Sequence, residues 1–137
     1  MPKAGTFKRA SAPSDSTMHK WWCKAVDVFW GTKCVWPGCE HEREERHHYV
    51  HKTFRLLRWS YKNGPPLCIH HHRNFADRTE GRWVLTQVLM DKGVYEYIEE
   101  MNAYTSQKEY YALSGMTRGE FLRAQLAELK RIVEFGR

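Results

Sequence analysis

Residues 34–77 read CVWPGCEHEREERHHYVHKTFRLLRWSYKNGPPLCIHHHRNFAD and hold seven of the eight histidines and three of the four cysteines. Imidazole nitrogens and thiolates are the donors that zinc and related cations prefer, so a small fold organised around metal is the first expectation. Cys34 and Cys39 are separated by four residues that include a Pro37-Gly38 turn, a knuckle able to aim two thiolates at one ion. Cys68 and His71 follow as C-x-x-H and complete a tetrahedral set, with His41 and His70 as alternative fourth ligands. Such a closed set is a structural zinc site, and its binding energy helps fold a region with few apolar side chains.

Around this window the composition sets the bounds. The 137 residues suit one domain. Hydrophobic residues make up 42% and aromatics 14%, which excludes a disordered chain. A net charge of +6 favours a polyanionic partner. No apolar run reaches the roughly 20 residues of a membrane span, and residues 1–18 lack the apolar core of a secretory signal. Few cysteines at irregular spacing, beside many histidines, read as metal ligands in a reducing, intracellular setting.

The chain outside the window reads as support. Residues 1–14 are expected to form a flexible basic arm in which Lys3, Lys8 and Arg9 are available to phosphates. A helix is predicted from Asp15 or Ser16 to a stop at Gly31, with Trp22, Val26 and Phe29 on its apolar face and Cys23 as a small buried residue. Trp83, Val84, Val88 and Leu89 predict another helix, broken near Gly93, and Tyr95, Ile98 and Met101 predict one through about Tyr104. The segment 105–115 gives no clear pattern. Thr117 with Glu120 is a capping box that opens a last helix with the stripe Leu122, Leu126, Leu129, Val133 and a stop at Gly136.

Between the zinc half-sites lies the extended segment Arg46-His47-His48-Tyr49-Val50. Neighbouring side chains on a strand face opposite ways, so one histidine can hold a metal while the other takes a proton. Asn63-Gly64 marks a turn, and His72 follows directly on His71 at the start of an expected helix. His47-His48, Asn63 and Cys68-x-x-His71-His72 together resemble the HNH endonucleases of the ββα-metal, or His-Me finger, superfamily, in members that carry a zinc knuckle. The resemblance covers residues 34–77, about a third of the chain. It departs from the family pattern at three places. The first thiolate pair is C-x4-C where C-x-x-C is usual, His71 stands where a cysteine is common, and Ala76 stands where many members have a His or Asn ligand. Asn74 and Asp77 do not lie one helical turn from His72 and are not assigned a role.

The resemblance implies an α+β fold with a zinc-braced ββα-metal core over residues 34–80, a short hairpin plus helix. This core is flanked by an N-terminal helix and a helical part over 81–137, all within one domain, 15–137. It implies that His47 and His72 hold one divalent cation, Mg2+ or Mn2+ with Ni2+ or Zn2+ as the other options, and that His48 is the general base for water. Asn63 would fix the loop that orients this base. The implied activity is hydrolysis of DNA phosphodiester bonds by a phage- or mobile-element-type protein acting in the cytoplasm, its host's if phage-encoded. Cutting both strands would take a homodimer or two encounters. Within the window, cations interleaved with aromatics suit a nucleic-acid surface, with Arg55, Arg58, Lys62 and Arg73 as the phosphate contacts. The alternative is a catalytically inactive zinc module that binds nucleic acid or protein, for which Ala76 is the best support.

Overall fold

The structure, a computed structural model, describes residues 11–136, and it is an α+β fold, mostly helical, with one small antiparallel sheet. Most of the expected arm over residues 1–14, with Lys3, Lys8 and Arg9, lies outside the described residues. Helix α1 (Asp15–Trp30) starts where the Ser14 hydroxyl accepts the Thr17 amide and stops at Gly31, whose φ of 82° suits glycine. It buries Met18, Trp22, Ala25 and Val26 against the last helix, α7 (Arg118–Phe135). Both halves of the Thr117–Glu120 capping box form at the start of α7. The α7 face differs from the predicted stripe: Phe121, Leu122, Leu129 and Ile132 are buried, while Leu126 and Val133 are only partly covered. The reason is tertiary, since α7 packs on α1 and also places Phe121 in a second core.

Strands β1 (Glu45–Arg46) and β2 (Pro66–Leu67) pair antiparallel, Glu45 opposite Leu67 and Arg46 opposite Pro66. The Glu44 amide reaches the Leu67 carbonyl at 3.0 Å and the His47 amide the Pro65 carbonyl at 3.1 Å, which extends the ladder by one bond at each end. The connection between the strands contains a helical turn, α2 (Arg55–Arg58), and a 3-10 turn at Tyr61–Asn63. After β2 comes α3 (Ile69–Asn74), then α4 (Thr79–Lys92) and α5 (Tyr95–Asn102). The patternless segment turns out to contain a further helix, α6 (Gln107–Ser114), capped by Ser106.

The second core gathers Leu56, Leu57, Leu67, Ala76, Leu85, Leu89, Ile98 and Phe121. In α4 the buried side chains are Leu85 and Leu89; Trp83, expected on the apolar face, is 76% exposed. Two glycines allow close approaches. A Cβ at Gly64 would lie 2.7 Å from Val26 Cγ2 and 2.8 Å from Trp22 Cζ2, and one at Gly81 would collide with the Phe75 carbonyl. Gly64 thus lets the strand connection lie on α1, and Gly81 lets α4 lie on the end of α3. No described helix is long and apolar enough to cross a membrane.

One polar tie fixes the sheet to α1. Asp27 receives Arg43 through Nε and Nη2 at 3.1 and 2.9 Å, and Arg46 through the same atoms at 2.9 and 2.8 Å. Burial opposes ionisation of Asp27, but the hydrogen bonds from Arg46 and Arg43 outweigh it and hold the carboxyl below its ordinary range. A depressed folded-state pKa contributes stability above the unfolded value of about 4, and that contribution is lost as pH falls through the folded value. Asp27→Asn is therefore expected to cost about 1 kcal/mol at neutral pH, a figure discounted for the clamp's partial exposure. In urea melts the gap to the wild type should close as pH drops below about 4; a gap that does not vary with pH refutes the assignment.

Candidate functional site

Four metal-type donors converge beside the sheet. Cys34, Cys39, Cys68 and His71 place their donor atoms within 4.8 Å of one another. Cys34 Sγ is 3.5 Å and Cys68 Sγ 3.2 Å from His71 Nδ1, and Cys39 Sγ is 4.0 Å from Cys68 Sγ. Donors on one tetrahedral zinc would be about 3.8 Å apart between sulfurs and about 3.6 Å between sulfur and nitrogen. The cluster is compatible with structural zinc. The knuckle has its own backbone frame: the Cys34 amide donates to the His41 carbonyl, the Cys39 amide to Trp36 and the Val35 amide to Pro66, each at 2.9 Å. Trp36 stacks on His71 with centroids 4.7 Å apart and planes 8° from parallel, which holds the plane of that ring. Burial pushes the Cys34 thiol up to about 11. His41 and His70 line a groove over the cluster but are not part of it; the Asn74 amide instead lies 3.1 Å from His70 Nδ1.

A separate open cleft of about 500 Å³ lies on the other side of α3, lined by His47, His48, His72, Glu45, Asp77 and Arg82 among others. The rings of His47 and His72 meet at 5.1 Å between centroids and 68° between planes. His47 is 5% exposed, and its Nε2 is buried without a hydrogen-bond partner. Burial, helped by the neighbouring His72, lowers its pKa to about 4. Glu45 Oε2 stands 3.8 Å from His72 Nδ1.

His48 turns the other way. Its ring stacks on Trp22 at 4.4 Å, 5° from parallel, and its Nε2–H donates to the Arg58 carbonyl at 3.0 Å. That bond fixes the tautomer and leaves Nδ1 as the acceptor. Burial lowers the His48 pKa against the opposing pull of the Arg58 carbonyl, so the ring is neutral near pH 7. Asn63 is 0% exposed and fully engaged: its Oδ1 accepts the Val50 amide at 2.7 Å, and its Nδ2 donates to the Val50 and Leu57 carbonyls at 2.9 and 3.1 Å. It thereby ties the residues just after His48 to the segment whose next carbonyl, on Arg58, holds the His48 ring.

The cations singled out in the sequence sit elsewhere. Arg58 lies over Trp59 at 4.7 Å and 3.7 Å from Asp15, and Lys62 lies over Tyr97 at 4.0 Å. Arg55 and Arg73 are exposed, and none of the four lines the histidine cleft. The cleft's own cations are Lys52, Arg82 and the Asp27-bound Arg46. Cys23, expected to be buried, is half-buried, with its sulfur 3.4 Å from His19 Nε2. Asp77 reaches the cleft because α3 ends at Asn74 and the chain turns back, while Ala76 points into the core with no exposure. Sequence spacing missed Asp27, Trp22, Glu45 and Arg82, because each acts through a contact between segments distant in the chain.

No protein-family model matches the chain, and no curated protein or solved structure matches it either. Fold and geometry define an α+β protein with a metal-compatible cluster of three cysteines and one histidine beside a histidine-lined cleft.

If the cluster is a structural site, metal analysis of the purified protein should find about one zinc per chain. Cys39→Ser or Cys68→Ser should lose that zinc and melt earlier, whereas His70→Ala should keep it. Full zinc retention in both cysteine variants would contradict the assigned ligands.

Proposed function

We propose that the chain is a metal-dependent endonuclease of the HNH type that hydrolyses DNA phosphodiester bonds. The observation that carries this reading is the histidine cleft. Four imidazoles line it, all outside the thiolate cluster: His47 and His72 face each other, His48 is held apart by a backbone carbonyl, and His51 lies against the Thr53 hydroxyl. A divalent cation fits the residues present, because the buried Nε2 of His47 lacks any partner and an unpaired buried nitrogen costs about 1–3 kcal/mol. His47 and His72 would hold it, with Glu45 behind the His72 ring to orient it. Once bound, such a cation supplies Lewis-acid stabilisation for the departing oxyanion.

The chain's own residues supply the rest. His48, neutral and anchored through Nε2–H, offers Nδ1 to take a proton from the attacking water. Stacking on Trp22 and the bond to Arg58 hold the ring without a carboxylate, so the base is positioned before substrate arrives. Asn63 keeps the Val50 and Leu57 backbone in place and acts on catalysis only through that scaffold. Lys52 and Arg82 line the cleft, where phosphates can meet them, and Lys20, Lys24 and Lys130 gather around Trp21 at 5.8, 4.8 and 5.3 Å. These cations, with the net charge of +6, support a polyanionic substrate.

The competing reading, a catalytically idle zinc module, draws on Ala76, which lies buried in the core and can ligate nothing. A supercoiled-plasmid assay with Mg2+ or Mn2+ separates the two. The wild type should relax the plasmid. His48→Ala should slow relaxation by about 10²–10⁴-fold while its zinc content and melting temperature stay as in the wild type. Intact plasmid with every divalent cation tried, despite retained DNA binding, would support the idle module instead.

A further inference from the structure

We propose that Trp83 is a stacking platform for a nucleobase beside the histidine cleft, so that the substrate carries an unpaired base next to the phosphate being cut. The inference rests on the reading of that cleft as a phosphodiester-hydrolysing site, and it deepens that reading by naming the form of nucleic acid.

Helix α4 secures itself to the core through Leu85 and Leu89, and its indole at Trp83 contributes nothing to that packing at 76% exposure. Beside the ring is a hollow of about 360 Å³ lined by Tyr49, Asp77, Thr79, Arg82, Trp83 and Thr86. Tyr49, Asp77 and Arg82 also line the histidine cleft, so the two depressions adjoin at these residues. Met90, Leu113 and Phe135 are exposed as well, but none of them borders the cleft.

The hollow is held by bonds within the fold. Arg82 Nη1 donates to the Tyr49 carbonyl at 2.7 Å, with its guanidinium 4.1 Å above the Tyr49 ring. The Thr86 hydroxyl donates to the Arg82 carbonyl at 2.8 Å and so accepts the Tyr49 hydroxyl proton at 2.6 Å. These bonds fasten α4 to the residue directly after His48, so the helix turn that carries Trp83 keeps a set position relative to the histidine cleft. An apolar plate joined to a carboxylate, hydroxyls and a guanidinium matches a nucleobase, which has two flat faces and a polar edge. Inside a duplex both faces are already stacked, so only an unpaired or terminal base can use the plate.

The test measures binding by fluorescence anisotropy in buffer without added Mg2+ or Mn2+ and without chelator, so that a structural zinc stays in place. It uses a perfect DNA duplex and the same duplex with a short unpaired stretch. The wild type should bind the gapped form more tightly. Trp83→Ala should lose about tenfold on the gapped form and little on the duplex, and Trp83→Phe should keep most of the affinity. Leu113→Ala, which removes an equally exposed side chain elsewhere, should change neither. Equal affinity of Trp83→Ala and wild type for the gapped form, or equal loss on both forms, overturns the stacking role and leaves the nuclease reading standing. Trp83-dependent binding with no cleavage after Mg2+ or Mn2+ is added supports the platform and removes the nuclease reading. A wild type that binds neither DNA removes both.

Discussion

The convergence of Cys34, Cys39, Cys68 and His71 is the constraint on which the site geometry depends. The sheet beside it has two strands of two residues each, too few ladder bonds to hold a register unaided. Four donors drawn to within 4.8 Å of each other fix the loop over residues 34–39 against the start of α3. His71 and His72 are neighbours on that six-residue helix, and adjacent helical side chains diverge by about 100°. Orienting His71 toward the thiolates therefore turns His72 away from them and toward His47. The separation of the histidine cleft from the thiolate cluster is a direct consequence of helix geometry.

The other side of the cleft is fixed independently. Asp27 binds Arg43 and Arg46, one immediately ahead of His47, so α1 sets the height of the strand. The same helix presents Trp22 to the His48 ring. Asn63 then closes the loop behind His48 with three hydrogen bonds and no solvent exposure. A fully satisfied buried amide is stiff, because each lost bond would leave a backbone group unpaired in the interior. Two rings that adjoin in sequence thus lie on opposite sides of the chain, each held by a different part of the fold.

What the sequence made legible follows from locality. The stop of α1 at Gly31 and the start of α7 were readable because a stop glycine and a capping box each act within one turn. The four thiolate-cluster donors were readable because a knuckle and a C-x-x-H pair each aim two ligands locally. Less was readable wherever a residue's role is set by a distant segment. Trp83 looked like core because its spacing with Val84 and Val88 is helical, yet α4 meets the core through Leu85 and Leu89. Helix α6 had no apolar pattern to find, since none of its residues is buried. The Asp27 clamp has no signature, as the acid and its two arginines come from different elements.

The end of α3 bears most directly on the chemistry. Spacing rules looked for a third cation ligand one helical turn beyond His72 and found Ala76, because they carried the helix past that point. The helix stops at Asn74, Ala76 joins Leu85 and Leu89 in the core, and Gly81 lets α4 close over Phe75. That turn brings Asp77 to the cleft edge, near enough to His47 to raise its pKa against the stronger pull of burial.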